Sequence, residues 1–227
     1  MSMTSEPLRL AIDADTTVSA LWMRPTQARV AFTLAHGAGA GMTHAFLQAA
    51  AEGLARRGIA TLRFQFPGME RGSKRPDPPP LAHATVRAAV ARLAELAPTL
   101  PRVAAGKSFG GRMSSQAQAV AALPGVRGLV FFGFPLHPAG KPSLERAAHL
   151  HEVACPMLFL QGTRDALAEP ACLDALEAAL AGRGLARFHR IEDADHAFHV
   201  PARSGRRDAQ VLDELLDTVG AWVDTLG

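Results

Sequence analysis

Ser108 stands in Gly106-Lys107-Ser108-Phe109-Gly110-Gly111, where an apolar run beginning at Val103 meets a segment with helical apolar spacing. Such a junction reads as strand, sharp turn and helix. Small residues on either side let the backbone bend tightly enough to lift a hydroxyl clear of a sheet. A serine hydroxyl is a weak nucleophile at neutral pH and needs a base to take its proton as it attacks. His196, in Asp195-His196, offers an imidazole, the side-chain type suited to take and return a proton at the working pH. Asp165, at the end of Gly162-Thr163-Arg164-Asp165, offers a carboxylate to hold that ring and stabilise its charged form. The chemistry of such a set is acyl transfer through an acyl-enzyme. Its tetrahedral intermediate carries an oxyanion, for which the expected donors are the N–H groups of Phe109 and Ala38, with Gly39 the neighbouring alternative.

Bringing these groups together requires four distant segments to meet. Residues 36–41, 106–110, 162–165 and 192–198 each follow a strand-like run, and in a parallel sheet the C-terminal strand ends share one edge. Residues 8–14 and 16–24 read as a hairpin around Asp15. Strands are expected at 30–35, 59–64, 102–106, 128–133, 156–161 and 186–191, with a long Pro/Gly/basic loop after the second of these. Helical patterns lie between them. Thr43 is the expected cap of a helix carrying Phe46, Leu47, Ala50 and Leu54 on one face and ending at Gly58. Val86, Val90, Leu93 and Ala97 mark a second helix, and Met113, Ala117 and Val120 a third. Leu173, Leu176 and Leu180 mark another; Leu212, Leu215, Val219, Trp222 and Leu226 mark the last. The alternation predicts a mostly parallel sheet covered on both faces.

No repeat, linker or low-complexity tract divides the chain, so 1–227 reads as one domain, with 1–7 expected to be flexible. Segment 134–153, rich in Pro and His, reads as a short cap-like connection, and Phe134, Leu136 and His137 are its candidate substrate contacts. Asp193 and Asp195 read as turn residues. His189 falls inside the last strand, and His199 lies past the loop position that His196 occupies.

Composition narrows the class. With 48% apolar and 20% charged residues the chain has the make-up of a globular protein, and a net charge of +3 is too small to imply nucleic acid. Cys155 and Cys172 set up no disulfide framework, and Cys155, before an apolar run, reads as a buried free thiol. There is no signal-peptide pattern and no apolar run of bilayer length, so the expectation is a cytoplasmic protein acting on a small-molecule acyl substrate, without membrane, cofactor or metal. His149-x-His151 and His196-x-x-His199 lack supporting ligands for a metal. Gly106-Lys107-Ser108 resembles the end of a phosphate-binding loop, but the first glycine of that pattern would fall at Pro101. Gly37 and Gly39 begin a dinucleotide fingerprint whose third glycine would be Met42.

The order of strands and motifs resembles the α/β-hydrolase fold over nearly the whole chain. His36-Gly37-Ala38-Gly39-Ala40-Gly41, Gly106-Lys107-Ser108-Phe109-Gly110-Gly111, Gly133-Phe134-Pro135-Leu136-His137-Pro138 and Asp195-His196 are similar to the KANL3/Tex30-like hydrolases, a group close to dienelactone-hydrolase-like proteins. The resemblance implies a three-layer α/β domain whose sheet of about eight strands opens with an antiparallel hairpin and carries a minimal cap. It places Ser108, Asp165 and His196 on the family's triad positions. The activity it implies is hydrolysis of a small or medium acyl ester or thioester. Two alternatives share the residues: acyl transfer to an alcohol or amine, and a non-catalytic interaction scaffold.

Overall fold

The computed structural model describes residues 4–226. Its centre is one eight-stranded sheet in the order β1-β2-β4-β3-β5-β6-β7-β8. These are β1 (Glu6–Ala11), β2 (Thr17–Met23), β3 (Val30–Ala35), β4 (Ile59–Phe64), β5 (Arg102–Lys107), β6 (Val126–Phe132), β7 (Met157–Gly162) and β8 (Ala186–Ile191). β2 runs antiparallel to both its neighbours, β1 and β4, and every pairing from β4 through β8 is parallel. The helices are α1 (Ala45–Arg56), α2 (Pro67–Glu70), α3 (Pro79–Leu96), α4 (Phe109–Val120), α5 (Pro170–Ala181) and α6 (Asp208–Val223). This is the expected single domain with helices on both faces of a mostly parallel sheet.

The two-residue period of a strand divides the core. In β3, Phe32 and Leu34 point to the layer of α1 and α6, while Ala31 and Ala35 point to the layer of α3, α4 and α5. In β5, Val103 and Ala105 join the first layer and Ala104 the second. β3, β4 and β7 are buried along their full length, which is why they read as continuous apolar runs.

Several local expectations are corrected. The chain is not loose as far as residue 7: Glu6 and Pro7 pair with Trp22 and Leu21, and Pro7 is tolerated because β1 is an edge strand. Residues 1–3 of that segment lie outside the described residues. The hairpin strands are shorter than expected, because Asp13 Oδ1 accepts the N–H groups of Asp15 and Thr16 and closes the turn there. Thr43 does not cap α1. His44 does, its Nδ1 accepting the N–H of Phe46 at 3.3 Å, after the left-handed turn at Gly41 delays the helix. The basic loop after β4 contains α2, begun by Pro67, whose fixed φ suits a first helical position. Val120 is 75% exposed at the last position of α4, where the chain turns extended before any element covers it. Segment 134–153 holds a 3-10 run, Glu145–Glu152, seated by buried Ala147 and Leu150. Among the described residues no helix is long and apolar enough to cross a membrane.

Candidate active site

The turn between β5 and α4 puts Ser108 at φ 50°, ψ −115°, a left-handed conformation that costs a residue with a Cβ about 1–3 kcal/mol. The surroundings enforce it. Ser108 N–H donates to Phe132 O at 3.1 Å, tying the elbow to β6. A Cβ on Gly106 would collide with the backbone of Gly110 and Gly111, and one on Gly110 would lie 2.6 Å from the carbonyl oxygens of Ala35 and His36. The flanking glycines are therefore a packing requirement between the elbow and β3, and they leave the serine side chain only partly buried at the strand ends.

His196 comes from the loop after β8. Asp195 shapes that loop as a turn residue, its Oδ1 accepting the N–H groups of Ala197 and His199. The His196 Nε2 lies 2.8 Å from Ser108 Oγ, and its Nδ1 lies 2.7 Å from Asp165 Oδ2. A carboxylate only accepts, so Nδ1 carries the proton and Nε2 is free to accept from the serine hydroxyl. Asp165, just after β7, is 2% exposed and fully engaged. Its Oδ1 accepts from Leu167 N–H at 2.8 Å and its Oδ2 also accepts from Gln161 Nε2 at 2.5 Å. Gln161 is itself fixed, its Oε1 accepting the N–H of Phe134 at 2.9 Å.

Around this chain of three, the structure places groups that sequence reasoning missed. Lys107 sends its ammonium under the His196 loop, where Nζ donates to the His196 carbonyl and sits 4.9 Å from the Phe198 ring centroid and 5.7 Å from that of Phe46. Burial pulls the Lys107 ammonium down to about 8, against the upward pull of Asp165 and Asp195. Buried His36 accepts Phe66 N–H at Nε2, 3.0 Å, and therefore donates from Nδ1 to Gly37 O at 2.7 Å. Burial also pulls His36 below the usual imidazole range, which keeps it in this neutral form. In a trans peptide the N–H opposes the C=O, so pinning Gly37 O to the ring turns the Ala38 N–H the other way. Phe109 N–H, first in α4, has no helical carbonyl behind it. Among the described residues neither of these two N–H groups has a protein acceptor.

The cleft over Ser108 and His196 has a volume of about 340 Å³ and is walled by Ala38, His44, Phe46, Leu47, Lys107 and Leu167. Phe134, Leu136 and His137, expected as substrate contacts, do not line it. Phe134 packs in the core against Phe131 and Phe159, and Leu136 is buried with its N–H on Leu167 O. His137 is buried completely and accepts Glu169 N–H at Nε2, so it ties the connection to the start of α5. His189 and His199 face elsewhere, paired with Glu214 and Asp208.

Residues 28–224 match the family described as "Alpha/beta hydrolase domain". Among solved structures, the chain superposes on an alpha-beta serine hydrolase homologue from Coxiella burnetii with a TM-score of 0.76, at 21% identity over 96% of this chain and 99% of that one. An a/b serine hydrolase without lid from Xanthomonas campestris gives 0.74 at 22% identity over 98% and 96% of the two chains. A dienelactone hydrolase from Anabaena variabilis gives 0.71 at 18% identity over 98% and 97%. At these identities the likeness is one of fold.

Proposed function

The chain belongs to the alpha/beta hydrolase family, and from that premise we propose that it is a serine hydrolase cleaving a small or medium acyl ester or thioester through an acyl-enzyme. The observation that carries this reading is the unbroken line from Asp165 to His196 to Ser108, with contacts of 2.7 and 2.8 Å, at the mouth of a cleft. Ser108 Oγ attacks the acyl carbon as His196 Nε2 takes its proton, and Asp165 stabilises the imidazolium that results. The N–H groups of Ala38 and Phe109 receive the oxyanion, helped by the positive end of the α4 dipole. Collapse of the intermediate expels the alcohol or thiol, which leaves with the proton from His196. Water then attacks the acyl-enzyme by the same proton route in reverse, releasing the acid and restoring the serine.

Substrate size follows from the walls. The connection 134–153 packs down on the core through Phe134, Leu136, Ala147 and Leu150, so it adds no large lid over the cleft. Phe46, Leu47 and Leu167 suit an apolar acyl chain of modest length. Kinship with the KANL3/Tex30-like hydrolases, carried by the four motif segments, is part of the same proposal.

A fluorophosphonate probe with peptide mapping, together with a panel of acyl esters and thioesters, tests this on wild type and Ser108→Ala. The expected result is one adduct at Ser108 and turnover that disappears in the variant. Labelling that persists in Ser108→Ala would refute the nucleophile. Absence of both labelling and turnover across the panel would favour a scaffold, and acylated alcohol or amine among the products would favour transfer over hydrolysis.

A further inference from the structure

A second cleft, about 510 Å³, opens on the other side of the first turn of α4, between that helix and the connection 134–153. Arg112, Lys141 and Arg146 line it, with Glu145 as the only carboxylate among the described residues on its walls. Arg112 is one turn from the nucleophile, its N–H donating to Ser108 O at 3.1 Å. Between the two clefts lies the Leu136–Leu167 contact, Leu167 walling the first and Leu136 the second.

Among the described residues only some of the arginines are ion-paired, and those lining this cleft are not. Arg9, Arg29, Arg57, Arg92, Arg190 and Arg206 each hold a carboxylate within ion-pair distance. Among the described residues Arg112, Arg146 and Lys141 form no such pair. The Arg112 guanidinium lies over the Phe109 ring, 5.9 Å from its centroid, and its Nε is buried without a hydrogen-bond partner. Arg146 stands close enough to repel it, and that repulsion adds to burial in pulling Arg112 below its ordinary value. Two unpaired guanidiniums facing one cavity are a standing electrostatic cost that an anion removes. The balance of three cations against Glu145 leaves two positive charges, which matches a phosphate monoester near neutral pH better than a single carboxylate. His137 is engaged within its own connection and with the start of α5, its Nε2 accepting Glu169 N–H and its Nδ1 lying against Pro138 O.

We propose that this cleft is a subsite for a phosphate dianion carried by the substrate, a few bonds from the acyl group that Ser108 attacks. Arg112 and Arg146 grip the phosphate oxygens through their planar forks, and Lys141 closes the open side as a point charge. Arg112 enters this cleft from the same first turn of α4 that follows Ser108. The inference rests on the reading of Ser108 as nucleophile.

The test compares 1-hexanoylglycerol 3-phosphate with 1-hexanoylglycerol, two esters that differ only in the phosphate. In wild type at low salt the phosphorylated ester is expected to have the higher kcat/KM by about 10–100-fold, the worth of one charge-assisted contact. That ratio falls toward unity in Arg112→Met, which keeps an apolar stem on Phe109, and in Arg146→Glu. Raising the salt erodes it in wild type. A ratio near unity in wild type, with the neutral ester still hydrolysed, overturns the subsite and leaves the hydrolase reading intact. Calorimetry of Ser108→Ala with glycerol 3-phosphate and with inorganic phosphate is the second arm. Binding of glycerol 3-phosphate that Arg146→Glu abolishes supports the subsite, and absence of binding by either compound overturns it, while the hydrolase reading is decided separately by fluorophosphonate labelling of Ser108. Binding of inorganic phosphate without any kinetic preference assigns the cleft to the free ion and overturns its role in holding substrate.

Discussion

Lys107 donates from its ammonium to the backbone carbonyl of His196, so the residue just before Ser108 holds down the loop that carries the imidazole. The contact spans two strand ends and is covered by Phe46 and Phe198. Burial lowers Lys107 from 10.5 to about 8. Across that window the unfolded chain binds more protons than the folded one, so this group makes stability rise with pH from about 8 to 10.5. Cys155, pushed up to about 11 by burial, works in the opposite sense between 9 and 11. The difference between wild type and Lys107→Met cancels the thiol. Urea unfolding at pH 7.5 and 10 is expected to show wild type gaining on the variant by up to about 3 kcal/mol. Equal slopes in the two proteins would mean that water reaches the ammonium.

Gln161 gives a second prediction. Its amide donates to Asp165 and accepts from Phe134 N–H, both in the interior. Gln161→Met removes both bonds at nearly constant volume. The carboxylate loses one of the groups that fix its rotamer, and a buried N–H is left unpaired at a cost of about 1–3 kcal/mol. Steady-state kinetics should show kcat down about 10-fold with KM little changed, because the residue touches Asp165 and not the cleft. A change confined to KM would show that Gln161 meets substrate instead.

What the sequence made legible was whatever local geometry fixes. Ser108 is legible because Gly106 and Gly110 have no space for a Cβ. Asp165 and His196 are legible because each follows a strand whose end lies on the same sheet edge. Lys107, Gln161 and His36 were not, since each acts on a segment far away in the chain and nothing in its own neighbourhood marks the partner. Phe134 sits near the right strand end but turns into the core, because the connection it starts must bury its own apolar side chains, while Leu136 and His137 lie along the second cleft and not the one over Ser108. Thr43 was a plausible cap one residue too early, the offset being set by the turn at Gly41.

His36 offers a third test. Its ring fixes the Gly37 carbonyl and the Phe66 N–H from a buried position, so it bears on the Ala38 N–H, the proposed oxyanion donor, without lining the cleft over Ser108. His36→Phe keeps an aromatic ring against Phe66 but offers neither hydrogen bond. Loss of one well-placed oxyanion donor typically costs about 10²–10³ in rate, and a displaced donor should cost about 10–100-fold in kcat. The rate of fluorophosphonate labelling at Ser108 should fall in step, since the phosphonyl oxygen uses the same donors. A variant that labels and turns over like wild type would show that Ala38 is held by the loop alone.

The last prediction concerns acid. His149 packs its ring near Phe134 and lies 2.7 Å from Ser115 Oγ through Nε2. The Ser115 hydroxyl donates to the Arg112 carbonyl, so it accepts from His149, and the ring is neutral with its proton on Nε2. Burial first, then Arg112 and His83, hold His149 down to about 4 from 6.5. The unfolded chain therefore takes up a proton between pH 6.5 and 4 that the folded chain refuses. The stability this histidine contributes is complete above 6.5 and is lost as pH falls toward 4. His149→Leu refuses no proton in either state and should lose less stability over that range. The gap should be about 1–3 kcal/mol, with partial exposure of the ring favouring the lower end. Urea midpoints at pH 7 and pH 4.5 for the two proteins measure it. A variant as acid-sensitive as wild type would place the acid-labile group elsewhere and leave His149 free to charge in the folded state.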